Sequence, residues 1–469
     1  MTPPHPASRT VSPAVHRSPP CLPAPALLYA PVLLFALLLG ACDRPFADVG
    51  EAAVEVVSPD LSVATDQDQI LLTLRVTSVR PVGEVQADGI VFGRVGEDLW
   101  QAELDLKPGL NRFPITSIVE DGPISRDTLD VLRLDWSVTT PVGYRPILFG
   151  IGGHAASPLP DGRLVLSGGS ALAGSPGSFD AWILPQGGSR FAPARTQAAH
   201  PRMGHSATVL PDNRILLVGG GILGNIDAVD QLVEAVEVFD PDTETFSAIP
   251  VDGPPVRRMY HTALLRNLGG QSYLVLLGGR GDTRYTPTSD LGIRRDMRTF
   301  LFRNDSLIAL SPAVGPFIRP VAGHTQTDIG AGGQEAGRRY LVAGVDLEDD
   351  LQGVSLVMDF EAPAGIDLTE WPPLRSPRIR HASVPLAPGY ILHLGGRHPD
   401  SDEPLTSGEI QVSEARASFY LPSELEAALT PTYGGTATVT PDGTVVLIGG
   451  FNAAGEGLSE VDFVSLSVQ

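Results

Sequence analysis

The sequence has little cysteine and almost no lysine. Its two cysteines are Cys21 and Cys42 and its one lysine is Lys107, in a chain of 469 residues with a formal net charge of −21. A framework of disulfides is therefore excluded, and burial of apolar side chains must supply the stability. No basic run is long enough to follow a phosphate backbone, so nucleic acid is not an expected partner.

The apolar segment near the start of the chain is too short to cross a membrane readily. The apolar run Ala26–Leu39 has 14 residues and follows a stretch with two arginines and no acids, a pattern typical of a secretory signal. It ends in Leu39-Gly-Ala-Cys42, which resembles the lipobox of bacterial lipoproteins. The resemblance implies that residues 1–41 are a lipoprotein signal peptide, that Cys42 is lipidated, and that residues 42–50 are a lipidated tether. A hydrophobic signal with an incidental cysteine is the alternative.

No catalytic signature is found in the sequence. There is no Gly-x-Ser-x-Gly elbow, no His-Glu-x-x-His and no phosphate-binding loop. Acidic stretches such as Glu348–Asp350 and Asp400–Glu403 are more simply read as solvated loops than as calcium ligands. We therefore expect no catalytic residue, no metal and no cofactor.

One unit of about 50 residues recurs along most of the chain. The copy from Arg202 to Phe246 contains a histidine, an apolar run, a Pro-Asp-Asn turn, a second apolar run that ends in a glycine pair, and two further short runs. This order predicts four short antiparallel strands. The first half of the unit is found six times, as His154…Gly168-Gly169, His205…Gly219-Gly220, His261…Gly278-Gly279, His324…Ala343-Gly344, His381…Gly395-Gly396 and Gly435…Gly449-Gly450.

The recurring unit resembles the kelch repeat. The resemblance implies an all-β fold in which residues 141–469 form a six-bladed kelch-type β-propeller around a central channel. The last copy offers only Val461–Leu466 for its outer half. We predict that Tyr144–Phe149 pairs with this strand and closes the ring, because closure removes an exposed sheet edge.

Residues 51–138 follow a different pattern, with seven short strand candidates separated by turns, which predicts a small β-sandwich. Leu106–Phe113 resembles the late strand pair of bacterial immunoglobulin-like domains, and Val85–Gly89 resembles their middle turn. The resemblance implies an immunoglobulin-like β-sandwich that precedes the propeller and acts as a spacer above the membrane.

Three copies of the unit open with an arginine three residues before the histidine. The candidate ligand-binding residues are Arg202, His205, Arg258, His261, Arg378 and His381. In the kelch family this stretch enters the innermost strand near one rim of the channel. In a structural interpretation these side chains bond loop carbonyls and adjoining blades. In a functional one they form a rim that binds an acidic ligand, since arginine can hold a carboxylate through two N–H groups.

These observations favour a non-enzymatic binding protein of the bacterial envelope, which uses a kelch propeller to bind protein or glycan. It is expected to be exported and anchored in the outer membrane, at its periplasmic face or on the cell surface. The inner membrane is the alternative location, because an aspartate directly after the lipidated cysteine, here Asp43, favours retention there in enteric bacteria. The alternative is an enzyme that resembles the periplasmic kelch mutarotases and acts on an acidic sugar. Copper oxidases resembling galactose oxidase are excluded, because their cofactor needs a cysteine bonded to a tyrosine and the mature chain keeps only Cys42.

Overall fold

The computed structural model describes residues 51–139, 147, 149–222, 231–281, 292–294, 296–310, 319, 321–329, 339–347, 351–362, 365–401, 403–440 and 442–468. Over these residues the protein is all-β, built of antiparallel sheets with one short helix, α1 (Ser423–Ala428). The described residues contain no helix that is long and apolar enough to cross a membrane. The predicted signal peptide, Cys42 and the tether lie outside the described residues.

Two four-stranded sheets pack on a shared core at the start of the described chain. The inward side chains alternate along each strand, as Leu72, Leu74 and Val76 do, so that one face of each sheet is buried. Sheet A has the order β1-β2-β6-β5 and sheet B the order β4-β3-β7-β8. The strands are β1 (Ala53–Ser58), β2 (Gln69–Thr77), β3 (Val82–Ala87), β4 (Ile90–Val91), β5 (Gly93–Arg94), β6 (Leu99–Asp105), β7 (Gly109–Val119) and β8 (Ile124–Arg133).

Six further principal sheets follow, named sheets 1 to 6 in chain order. After β9 (Asp135–Thr139), sheet 1 holds β10 (Gly152–Pro158), β11 (Leu164–Ser170), β12 (Ala181–Leu184) and β13 (Ala192–Pro193), and sheet 2 holds β14 (Ser206–Val209), β15 (Ile215–Val218), β16 (Val236–Asp240) and β17 (Thr245–Ile249). Sheet 3 holds β20 (Thr262–Leu268), β21 (Gln271–Leu277), β23 (Met297–Arg303) and β24 (Ser306–Ala309), with β18 (Val251–Asp252) added in parallel, while β19 (Arg258–Met259) and β22 (Arg280–Gly281) pair separately. Sheet 4 holds β25 (Thr325–Asp328), β26 (Arg339–Val345), β27 (Gly353–Ala362) and β28 (Gly365–Glu370), and sheet 5 holds β29 (Ala382–Ala387), β30 (Tyr390–Leu394), β31 (Glu409–Val412) and β32 (Ala417–Tyr420). Sheet 6 holds β33 (Thr436–Val439), β34 (Val445–Ile448), β35 (Val461–Ser467) and β9.

The predicted turn of the repeat forms in sheet 2 as the sequence indicates. Asn213 adopts a positive φ of 67°, and its N–H donates to the Leu210 carbonyl at 2.9 Å. The Leu210 N–H donates in turn to the Arg214 carbonyl at 2.7 Å, so Val209 faces Ile215. Asparagine tolerates this conformation better than other residues, which explains its place in the turn.

The first strands of sheets 1 to 6 contact one another in cyclic order, from β10 through β14, β20, β25, β29 and β33 back to β10. At the start of β10 and just before the other five of these strands, one residue per sheet joins a closed circle of backbone hydrogen bonds with N···O distances of 2.6–2.9 Å. Each N–H donates to the carbonyl of the corresponding residue in the preceding sheet. This backbone ring consists of Gly153, Gly204, Tyr260, Gly323, Arg380 and Gly434.

Sheet 6 is completed by a strand that precedes sheet 1 in the chain, but not by the segment predicted. The strand that pairs with β35 is β9, with Trp136 opposite Leu466 and Val138 opposite Val464. The prediction of Tyr144–Phe149 is wrong as the closing strand, and Tyr144–Pro146 and Leu148 lie outside the described residues. β9 also lies largely within the range 51–138 that the sequence assigned to the sandwich. Its alternating apolar residues suit either sheet, and long-range pairing decided between them.

Sheets A and B are joined to sheets 5 and 6 by a common core. Leu132 and Leu134 from the sandwich end pack in one cluster with Leu392, Phe419 and Val464. Backbone hydrogen bonds of 2.8 Å link Ala64 and Ser62 to Tyr420. The expected spacer is therefore part of the same packed unit as the six sheets.

Candidate functional site

The predicted site residue Arg202 lies inside sheet 2. It is 2% exposed, and its guanidinium donates to the carbonyls of Gly219 and Ala235 and to Glu237 Oε2 at 2.6 Å. Burial lowers the pKa of Arg202, while the Glu237 carboxylate acts in the opposite direction. Glu237 is itself buried and also accepts from the backbone N–H of Ala199. The arginine thus joins the second and third strands of its own sheet.

Arg258 and Arg378 repeat this arrangement. Both are 0% exposed, and each donates to the carbonyl of the first glycine of the pair in its own sheet. Arg258 reaches Asp296 at 3.0 Å, and Arg378 reaches Glu409 at 2.8 Å. The bonds to loop carbonyls agree with the structural interpretation of the arginines, but each guanidinium ends on acceptors within its own sheet rather than on an adjoining one.

The histidines of the repeat connect neighbouring sheets. In five sheets the histidine Nε2 lies 2.9–3.0 Å from a hydroxyl oxygen of the preceding sheet. In four of these pairs the hydroxyl belongs to the residue directly after the repeat position of the histidine in the preceding sheet. The pairs are His154 with Thr436, His205 with Ser167, His261 with Ser206, His324 with Thr262 and His381 with Thr325.

The glycine pair makes room for these imidazoles, as Gly219 and Gly220 illustrate. A Cβ at Gly219 would lie 2.3 Å from the Arg258 carbonyl oxygen and 2.9 Å from His261 Cε1, both in the next sheet. A Cβ at Gly220 would lie 2.9 Å from His205 Cβ in its own sheet. Both glycines have positive φ, and Gly220 donates its N–H to the Arg258 carbonyl at 2.8 Å. The pair is therefore required by close packing between adjacent sheets.

Burial holds the repeat histidines in the neutral form. It lowers the pKa of His154 to about 4 and those of His205 and His324 to about 3. Burial also lowers the pKa values of His261 and His381 well below the usual value for histidine, and nearby positive charge lowers them further. The Nδ1 atoms of these five histidines are enclosed and have no hydrogen-bond partner among the described residues. Neutral, enclosed rings of this kind suit packing better than proton transfer.

The junction between sheets 5 and 6 lacks this connection. Gly435 stands where the histidine would be, and Ala382 stands where the hydroxyl would be. Both residues line a cavity of about 30 Å³ at this junction. Because both members of the pair are absent, neither a hydroxyl nor an imidazole is left buried at this position without its partner.

A central depression of about 130 Å³ lies at the backbone ring. The ring residues line it together with the residues that follow them, including the five histidines, each 5–7% exposed. The other two side chains of the lining, those of Tyr260 and Arg380, come from the ring itself. Among the described residues no group of histidine, cysteine, aspartate and glutamate could hold a metal ion.

Sequence reasoning missed Tyr260 and Arg380. The Arg380 guanidinium carbon lies 4.1 Å from the centroid of the Tyr260 ring. A signal was present in the sequence, since the residue directly before the histidine position is glycine in the other four copies. Tyr260 and Arg380 thus replace the glycine of the repeat, and the two residues that depart from the repeat contact each other.

No family model matches this chain, and no curated protein matches it. Among solved structures, the chain is similar to the structure of YjhT, with a TM-score of 0.50 and 11% sequence identity. The match covers 69% of this chain and 98% of the YjhT chain. At this identity the likeness concerns the fold alone.

Proposed function

We propose that sheets 1 to 6 form a six-bladed β-propeller of the kelch type, preceded by an immunoglobulin-like β-sandwich. The cyclic contacts of the first strands and the backbone ring support a closed arrangement. The completion of sheet 6 by β9 supports it as well, because propellers limit exposed edges by joining their ends. The regular histidine-to-hydroxyl and glycine-pair contacts give the repeat a physical role in every sheet that contains it.

The propeller serves as a binding module, with its ligand at the central depression. The observation that carries this proposal is the composition of the described lining, which holds glycines, neutral histidines, Tyr260 and Arg380 and no carboxylate. General acid–base catalysis needs a group that exchanges a proton near neutral pH within reach of the substrate. The lining histidines stay neutral at that pH, and their Nδ1 atoms are enclosed. Binding therefore fits this site better than the mutarotase alternative.

The lipobox-like Leu39–Cys42 supports export and anchoring through Cys42, with the depression presented to a protein or glycan of the cell envelope.

The test of the proposed binding function is a binding screen of the full mature protein against glycans and envelope proteins. Exchange of sugar anomers followed by NMR runs in parallel. A retained protein or glycan supports the proposal. Faster anomer exchange with no retained partner would favour the enzyme instead.

A further inference from the structure

Two of the six residues in the backbone ring carry strained backbones. Tyr260 has φ 54° and Arg380 has φ 53°, a conformation that disfavours bulky side chains, whereas the other four ring positions are glycine. These same two residues stack on each other, with the guanidinium carbon 4.1 Å from the ring centroid. Strain retained at two touching positions of a depression is typical of a functional site.

The packing fixes the course of the arginine side chain. Arg380 and Tyr260 come from sheets 5 and 3, and Gly323 of sheet 4 lies between them in the ring. A Cβ at Gly323 would lie 3.1 Å from Arg380 Cγ, so the arginine stem crosses this glycine on its way to the tyrosine. Glycine at position 323 thus leaves the path open, and the Tyr260 ring supports the guanidinium from one face.

Within the described part of this strongly acidic protein, the charge of Arg380 has no counter-ion. Over the described residues Arg380 makes no ion pair, and its side chain makes no hydrogen bond, although its Nε is enclosed. Arg202, Arg258 and Arg378 contrast with it, since each is paired with a buried or half-buried carboxylate. The Nε atoms of Arg202 and Arg258 are enclosed in the same way, so the feature that distinguishes Arg380 is a charge with no carboxylate beside it, which a ligand can supply.

We propose that Arg380, held flat against Tyr260, binds a carboxylate group of the ligand in the central depression; this rests on the proposed binding function. Stacking uses the face of the guanidinium and leaves its N–H groups at the edge free to donate in one plane. A carboxylate accepts two parallel hydrogen bonds from such an edge, which a neutral hydroxyl cannot do. The ligand class is therefore an acidic sugar or another small carboxylate.

The experiment measures binding of glucuronate to the full mature protein by ligand-observed NMR, with glucose as the neutral match. Two variants are compared with the parent. Arg380→Gly places at this ring position the residue that four other sheets have, and Arg380→Met keeps the stem and removes the charge. We expect glucuronate to bind and glucose to bind at least tenfold more weakly. Both variants should lose at least tenfold in glucuronate affinity, and Arg380→Gly should unfold at a urea concentration no lower than the parent.

Three results would overturn the inference. They are equal binding of glucuronate and glucose by the parent, unchanged glucuronate affinity in both variants, and a failure of both variants to fold, which would make Arg380 a structural strut. The outcome is separable from the broader proposal. If the parent and Arg380→Gly retained a protein or glycan partner equally, the proposed binding function would be supported and the carboxylate site at Arg380 would be refuted.

Discussion

Ser167 Oγ lies 2.9 Å from His205 Nε2 and so takes the place of a hydroxyl that sheet 1 lacks. In the other pairs the hydroxyl follows the histidine position directly, but that residue in sheet 1 is Ala155. Ala155 and Ser167 face each other across the β10–β11 hairpin, so a hydroxyl on either strand can reach the same imidazole. The contact between sheets is kept, while its hydroxyl comes from the neighbouring strand.

The first prediction follows from this pair. Ser167→Ala should lower the free energy of unfolding by about 1–2 kcal/mol, since it leaves the enclosed His205 without its partner. Adding Ala155→Ser should recover much of that loss by restoring the arrangement of the other sheets. Urea unfolding of the parent, the single variant and the double variant measures both effects. A double variant no more stable than Ser167→Ala would show that the hydroxyl is not interchangeable between the strands.

The second prediction concerns the buried arginines. Arg378→Met should destabilise the protein by about 3 kcal/mol, because it leaves the Glu409 carboxylate buried without its counter-ion. The double change Arg378→Met with Glu409→Gln should cost less than Arg378→Met alone. Arg380→Met is the matched control and should change stability little. If Arg378→Met abolished ligand binding while stability stayed the same, the functional interpretation of this arginine would return.

The third prediction is a loss of stability in mild acid. An unfolded histidine has a pKa near 6.5, whereas burial lowers that of His154 to about 4 and those of His205 and His324 to about 3. The folded state therefore binds fewer protons, and stability falls as the pH drops below about 6.5, by about 2 kcal/mol per histidine at pH 5. Melting temperatures at pH 7.5, 6.0 and 5.0 should fall steadily. His205→Gln should melt lower at pH 7.5 but with a flatter pH dependence, and an equal melting temperature across this range would contradict the expectation.

The fourth prediction separates the closing strand from the sandwich. Two truncated chains are compared, one beginning at Asp135, which keeps β9, and one beginning at Pro141, which loses it. Both lose Leu132 and Leu134 from the core shared with sheets 5 and 6, so both should be less stable than the full chain. The chain without β9 should be the less stable of the two and should aggregate, because β35 becomes an exposed edge. Equal stability of the two chains would mean that β9 does not close the sheet in solution.

The fifth prediction concerns the anchor. Cys42→Ala should release the protein from the membrane fraction or stall its processing, because the lipobox-like motif would lose its acceptor thiol. Fractionation of cells that express the parent and the variant measures this, with Cys21→Ala as the control that should change nothing. Unchanged processing and membrane association of Cys42→Ala would refute lipidation at this residue.

The strands of sheet 2 were predictable from the sequence because their pairing is local. Pro211-Asp-Asn213 sets the turn, and the apolar run that follows it forms the fully buried β15. The roles of the candidate residues were not predictable in the same way. Arg202 pairs with Glu237, which lies 35 residues further along the chain, and a repeat pattern does not identify such a partner.

The sequence by itself determined the all-β character, the recurring hairpins and the positions of the glycine pairs, since these depend on alternation, turn residues and backbone freedom within short stretches. The tertiary structure decided what closes sheet 6, because β9 precedes sheet 1 whereas β35 is the last strand of the described chain. It also decided which arginine lies at the depression. Arg378 and Arg380 are two residues apart, yet one is enclosed against Glu409 and the other stacks on Tyr260 from a different sheet. That difference arises from contacts between sheets, which no local pattern encodes.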